Sequence, residues 1–304
     1  MAQIMRYDIK HTTSYQYEEN ISSCVMSLCM QPRNHRGQTV NSFFIHTSPI
    51  TSFSVEFDAF GNRHHFFDID HPHDQLDITV SAVIERETRD PPNDGFSLPI
   101  SSWSELEALE NDWDMWEYLR STKRTTVSDV LNEWLKTIPS SGEDDPYSRL
   151  RRLTRYMFKT FEYEPGSTHV DSTIDHFLEM QAGVCQDYAH LMIAVARSWG
   201  IPARYVSGYL YDAEEHTLRA ENATHAWVEC WLPQLGWMPF DPTNAKVDDE
   251  NLITVAIGRD YGDVAPSRGV TFGGGRSELL VGVNVKRQWA ESNPQSTERQ
   301  AMQQ

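Results

Sequence analysis

The sequence predicts an α+β protein: an N-terminal antiparallel β module over residues 1–95, a helical segment and mixed core over 96–287, and a disordered polar tail over 288–304. Three observations carry this reading. Short alternating apolar runs fill residues 4 to about 88, apolar residues at helical spacing follow between Trp103 and Phe161, and a cysteine opens a further helical pattern at 185. That helix is expected to pack on an antiparallel sheet built from the strand-like runs after it.

In chain order, Tyr7–Thr12, Phe43–Ile45, Phe53–Phe57, Phe66–Ile69 and Ile78–Ile84 are rich in β-branched and aromatic residues and read as the strands of the first module. Pro91-Pro92-Asn93-Asp94-Gly95 breaks the pattern and marks the boundary. Three helical stripes follow: Trp103, Leu106, Leu109 and Trp113; Val127, Val130, Leu131 and Trp134; Leu150, Leu153, Met157 and Phe161. Stripes of this kind are core faces rather than cofactor contacts. Residues 277–285 read as a last strand, and from Gln288 the chain is rich in Gln, Ser and Glu, the composition of a segment that buries too little to fold. No internal repeat is present.

Gly183-Val184-Cys185-Gln186-Asp187-Tyr188-Ala189-His190 opens an apolar helical pattern that runs through Leu191, Met192, Ile193, Val195 and Ala196 and stops at Gly200 and Pro202. Cys185 therefore falls in the first turn. Unpaired N–H groups and the positive end of the helix dipole favour thiolate there, and thiolate is the reactive form. Downstream, Thr224–Leu232 reads as a strand whose alternation sends His225, Trp227, Glu229 and Trp231 to one face and Ala226, Val228, Cys230 and Leu232 to the other. A turn at Pro233–Gly236 and a second strand, Trp237–Phe240, bring Asp241 back toward His225. Nucleophile, base and orienting carboxylate thus occur in the order Cys185, His225, Asp241. If Pro233–Gly236 were the whole loop, Leu232 would pair with Trp237 and Asp241 would oppose Val228 on the wrong face. A bulge near Pro239, which lacks an N–H, would correct the register. Cys230 faces away from His225 and His190 lies beyond the first turn, so neither is assigned a role.

These residues carry a resemblance. The segments 183–190, Gly-Ile-Pro-Ala-Arg-Tyr-Val-Ser-Gly-Tyr at 200–209, Thr-His-Ala-Trp-Val-Glu at 224–229 and Gly-Trp-Met-Pro-Phe-Asp-Pro-Thr at 236–243 resemble the bacterial transglutaminase-like family, in which cysteine-protease assignments are common. Phe161–Gly166, Gly258–Tyr261 and Asp263–Pro266 extend the likeness, and His11–Tyr17 with Asp58–Asn62 is similar to that family's β-rich N-terminal region. The resemblance implies a papain-like, transglutaminase-like core with a Cys185, His225, Asp241 triad acting by acyl transfer on amides. It implies no particular substrate, because the superfamily includes proteases, amidases, cross-linking enzymes and members without catalysis.

Composition narrows the partners. With Lys plus Arg at 26 and Asp plus Glu at 44, the formal net charge is −18, which argues against nucleic-acid binding. The N-terminus has no apolar leader and no run approaches a membrane span, so a cytoplasmic location is expected. Cysteines at 24, 29, 185 and 230 form no C-x-x-C pair and suit a reducing compartment. His64–Asp74 has no recognisable ligand spacing and reads as strand and turn rather than a metal site, and Phe272–Arg276 lacks the Lys-Ser/Thr of a phosphate loop. No metal or cofactor is called for.

The expected chemistry is attack of Cys185 on an amide carbonyl to give a thioester, with His225 as acid and then base, Asp241 orienting it, and the Cys185 N–H as an oxyanion donor, one such donor contributing about 3 kcal/mol. Tyr163 and Gln186 are candidates for a side-chain donor. Hydrolysis of a peptide or protein amide is preferred to transfer, since nothing marks an amine site. The alternatives are a protein-glutamine acyltransferase that cross-links to amines, and a module that binds peptides in the same cleft without turnover.

Overall fold

A computed structural model describes residues 4–88, 92–93, 95–140, 142, 144–212 and 224–289. Five strands come first: β1 (Ile4–Leu28), β2 (Gln38–Ser48), β3 (Ser54–Phe57), β4 (Arg63–Ile69) and β5 (His73–Glu87). Helices α1 (Ser102–Glu107), α2 (Trp113–Leu119), α3 (Asp129–Leu135) and α4 (Pro146–Thr160) follow. The core then runs β6 (Glu162–Tyr163), α5 (Ile174–Met180), β7 (Ala182–Gly183), α6 (Cys185–Ser198), β8 (Ala203–Leu210), β9 (His225–Leu232), β10 (Gly236–Asp241), β11 (Lys246–Val247) and β12 (Leu252–Gly258). A short α7 (Tyr261–Val264) leads into β13 (Ser267–Gly273) and β14 (Ser277–Trp289).

The first sheet is organised by β1, whose alternation buries Met5, Tyr7, Ile9, His11 and Thr13 on one face. One edge of β1 pairs with β5 over Ile4–Ile21 and the other with β14 over Met5–Tyr17; its far end pairs with β4 and β13. Residues 267–287, grouped with the core by the sequence reading, therefore hydrogen-bond into the N-terminal sheet. β13 escaped that reading because none of its seven residues is buried and it shows no alternation. The last strand also runs past 285 and 288, to Trp289; the rest of the expected tail, and Pro91 and Asp94 of the expected boundary, lie outside the described residues.

The second sheet has the order β11-β10-β9-β8-β12, antiparallel throughout. Helix α6 lies against it and is buried from Gln186 to Arg197, its polar Gln186, Asp187, His190 and Arg197 each hydrogen-bonded there. The stripes upstream behave unevenly. Leu106, Leu131, Trp134, Leu150, Leu153, Met157 and Phe161 join the core, whereas Trp113 is 91% exposed and Val127 and Val130 are also outside it. Helices α1 to α3 span only about two turns each, and a new N-cap at Asp112 restarts the helix before Trp113, so the phase of the stripe is lost.

Side chains of the N-terminal module close the open edge of the second sheet. Gln38 donates to the Thr254 carbonyl (2.8 Å) and accepts from the Thr254 N–H (3.0 Å), and Asn62 makes the same pair with Ile257 (2.7 and 2.9 Å). Two primary amides thus stand in for a neighbouring strand beside β12, across the register shift between Thr254 and Ala256. On β9, buried Glu229 accepts from Arg204 of β8 (2.6 Å) and from His35 of the first module (2.8 Å). Burial works against the Glu229 charge, but Arg204 and His35 outweigh it and hold the carboxyl at about 2.

That ion pair generates a stability prediction. Arg204→Met strands a buried carboxylate and should cost about 3 kcal/mol in urea unfolding at neutral pH. Because the Glu229 value is depressed on folding, its contribution is complete above the ordinary glutamate value of about 4.3 and is lost as the pH falls toward 2. Glu229→Gln should accordingly flatten the acid limb of the stability curve over that interval; an unchanged limb would refute the assignment.

Candidate active site

Helix α5 ends at Gln181, whose left-handed backbone (φ 56°) turns the chain into β7, and β7 pairs in parallel with β6. Gly183 is required there: a Cβ would stand 2.7 Å from the Phe177 ring and 2.8 Å from Asp187 Oδ2. Val184 is extended and caps α6, so Cys185 is the first helical residue and its N–H has no acceptor within the helix. Asp187 fixes the first turn, its Oδ2 accepting from the Val184 N–H (2.8 Å) and the Thr168 hydroxyl (2.6 Å). Cys185 itself is half-buried.

His225 begins β9 and is fully buried. Its Nε2 donates to Asp241 Oδ2 at 2.8 Å. The register that permits this differs from the expected one. Gly236 pairs with Leu232, and pairing continues without a break to Phe240 opposite Val228, so Asp241 follows on the face of His225. The turn comprises three residues rather than four, made possible by left-handed backbone at Gln234 and Gly236, and no bulge occurs at Pro239.

Asp241 has further donors. Its Oδ1 accepts from the N–H groups of Thr243 (2.9 Å) and Asn244 (3.2 Å), and its Oδ2 from Asn244 Nδ2 (2.8 Å). Burial would neutralise both members of the pair. The opposing charges reverse this, the Asp241 carboxylate pushing the His225 imidazole up and His225 with these donors holding Asp241 down. Nδ1 of His225 is buried and meets no hydrogen-bond partner among the described residues, and the Cys185 sulfur acts on the ring in the same direction as Asp241. Trp227 stacks beside the imidazole at 6.0 Å.

Cys185 and His225 open onto a cavity of about 340 Å³. Tyr163 and Gln186 also line it, and the Gln186 amide spends one of its two N–H donors on the Val170 carbonyl (3.0 Å). His11 and Thr13 of β1 and Leu279 and Val281 of β14 complete the lining, so the N-terminal sheet forms one side of the site. His11 is tied by its two ring nitrogens to the Tyr209 hydroxyl (3.0 Å) and to Thr13 (3.1 Å), and burial lowers it to about 4. Asn244 was legible as an Asx-turn partner in Asp241-Pro-Thr-Asn, whereas the β14 wall had no local signal. Cys230 is buried in the core, and His190 accepts the Tyr261 N–H (3.2 Å). His64 pairs with Asp58 (3.2 Å) on β4, and Phe272–Arg276 spans the turn between β13 and β14.

Comparison with known proteins gives two family matches. The Transglutaminase-like superfamily model matches residues 135–242, and the Bacterial transglutaminase-like N-terminal region matches residues 7–85. An uncharacterized protein of Mycobacterium leprae is 34% identical over 284 residues, covering 93% of this chain and 99% of its own length. A protein-glutamine gamma-glutamyltransferase of Pseudomonas aeruginosa is 28% identical over 184 residues, 56% of this chain but 26% of that protein. A crystal structure from Cytophaga hutchinsonii, provisionally named a cysteine protease, superposes with a TM-score of 0.74 at 20% identity over 95% of this chain and 92% of that one, showing the shared fold.

The thiols should differ in reactivity. Burial pushes Cys24 up, Cys29 to about 12 and Cys230 further still, whereas Cys185 reaches the cavity. Under brief, limiting iodoacetamide near neutral pH, peptide mapping should find Cys185 alkylated at least about tenfold faster than the others. Equal labelling of all four would exclude an accessible, activated thiol.

Proposed function

The chain belongs to the transglutaminase-like superfamily, and on that premise we propose that it is a thiol enzyme of amide bonds, with Cys185 as nucleophile, His225 as acid and base, and Asp241 as the orienting carboxylate. The observation that carries the proposal is the His225 ring, hydrogen-bonded through Nε2 to a buried carboxylate while Nδ1 is left for the thiol side of the cavity.

The Cys185 thiolate attacks the amide carbonyl carbon, and the negative charge that develops on oxygen is met by the Cys185 N–H at the helix start. Collapse of the tetrahedral intermediate breaks the C–N bond as His225 gives its proton to the leaving amine, leaving a thioester. His225 then takes a proton from water, the hydroxyl adds to the thioester carbon, and the C–S bond breaks to release a carboxylic acid. Asp241 keeps the ring in one tautomer and balances its positive charge. Hydrolysis is preferred because the described residues of the cavity lining include no carboxylate to seat a cationic amine. The second reading, acyl transfer to an amine, is supported by the likeness to the Pseudomonas aeruginosa gamma-glutamyltransferase. Four free thiols fit a cytoplasmic location, which stays part of the proposal.

Hydroxylamine tests the thioester directly. The wild-type chain with peptide or glutaminyl amides should yield a hydroxamate, and Cys185→Ala should yield none while retaining fold and substrate affinity. Asp241→Asn should lower turnover by up to about 10⁴-fold, because it removes the charge that stabilises imidazolium. Peptide binding without hydroxamate or hydrolysis, together with a biological activity untouched by Cys185→Ala, would instead establish a non-catalytic binding module.

A further inference from the structure

We propose that Leu279 and Val281 of β14 form the wall that selects the acyl donor, and that the donor is an uncharged peptide segment presenting an apolar side chain beside the reacting amide. The proposal rests on the reading of Cys185 as the acyl acceptor and names the substrate class for that site.

The register of β14 supplies the geometry. Leu279 pairs with Tyr15, Val281 with Thr13 and Val283 with His11, so the odd positions of β14 share a face with the β1 residues that line the Cys185 cavity. Val283 is buried at one end of this stripe, while Leu279 and Val281 remain 51% and 44% exposed where they line the cavity. Two large apolar side chains therefore border open space beside the nucleophile, and Met30 and Val170 line the same cavity. Covering them with an apolar side chain of a ligand removes that surface from water.

Charge points the same way. The chain has 26 basic and 44 acidic residues, yet among the described residues that line this cavity there is no Asp, Glu, Lys or Arg. His11, the imidazole there besides His225, is buried and bonded at both nitrogens. A charged side chain entering would lose hydration and meet no counter-ion among these described lining residues, a penalty that a neutral side chain escapes. A volume of about 340 Å³ admits a short stretch of peptide. The β14 wall thus supplies apolar contact on one side of the amide, while the helix start holds the other.

The test uses the full chain carrying Cys185→Ala and fluorescent peptides that differ only in one residue flanking a glutamine, either leucine, phenylalanine, aspartate or lysine. Anisotropy should give the leucine and phenylalanine peptides at least about tenfold tighter Kd than the charged ones. Leu279→Glu with Val281→Glu should erase that preference and improve lysine binding, whereas Leu280→Glu, equally exposed at 49% but on the opposite face, should bind like the parent. If circular dichroism shows the double glutamate variant unfolded, Leu279→Ala with Val281→Ala should still weaken the apolar peptides several-fold. Equal affinities across the panel, no binding by any peptide, an unaltered Kd in the wall variants, or an equal loss in Leu280→Glu would overturn the wall. Hydroxamate formation by the wild type separates the two proposals: present without the binding pattern, only the wall falls; absent with it, only the acyl-enzyme reading falls.

Discussion

A carboxylate with no access to water holds the site together. Asp241 is buried and receives four hydrogen bonds, from His225, the Thr243 and Asn244 N–H groups and the Asn244 side chain. A charge so placed is tolerable only when its lone pairs are met, and its donors come from the local turn and from a distant strand. The hairpin register delivers Asp241 to the right face, the Asx-turn after it supplies two N–H groups, and the first residue of β9 supplies the imidazole. Slipping the hairpin by one residue would put the carboxylate opposite Val228, on the face away from His225, leaving it only the donors of its own turn. The register is therefore enforced by electrostatics as well as by the apolar pattern of β10.

The same strand joins the site to the N-terminal module. Along the odd face of β9, His225 faces the cavity, Trp227 packs with Val206, Leu252, Ile257 and Phe60, and Glu229 binds His35. Docking and chemistry thus share one face of one strand, His225 and Glu229 lying two alternations apart. The amides of Gln38 and Asn62 then do for β12 what a sixth strand would otherwise do, satisfying the backbone of Thr254 and Ile257 with side chains. Modules joined by such directional bonds have a fixed relative position, which lets β1 and β14 serve as part of a cavity centred on Cys185.

Much of this was legible in the sequence wherever the signal is local. A glycine before a cysteine at the head of an apolar helix, the period-two alternation of 225–232 and the Asp-Pro-Thr-Asn turn each depend on neighbours in the chain, and the structure brings their side chains together. What failed depended on distant partners or on subtle turn chemistry. The hairpin length turned on whether Gly236 belonged to the loop or to the strand, a difference of one residue decided by a left-handed conformation. β13, exposed throughout, carries no pattern to read, and the placement of β14 against β1 is set by pairing across more than two hundred residues. The Trp113 and Val130 positions misled because apolar spacing cannot reveal where a short helix stops and the next one begins.

The pairing of β1 with β14 has a consequence for how the molecule is made. Tyr7 and Arg287 are register partners, so the sheet that starts the chain cannot be finished until its far end has emerged. During synthesis the helix bearing Cys185 and the strand bearing His225 precede the wall of their own cavity, and the second edge of β1 waits unpaired for the whole of that interval. Contacts of such long sequence separation are slow to close. The thiol is present early in the life of the nascent chain, while the enclosed cleft around it exists only in the finished protein.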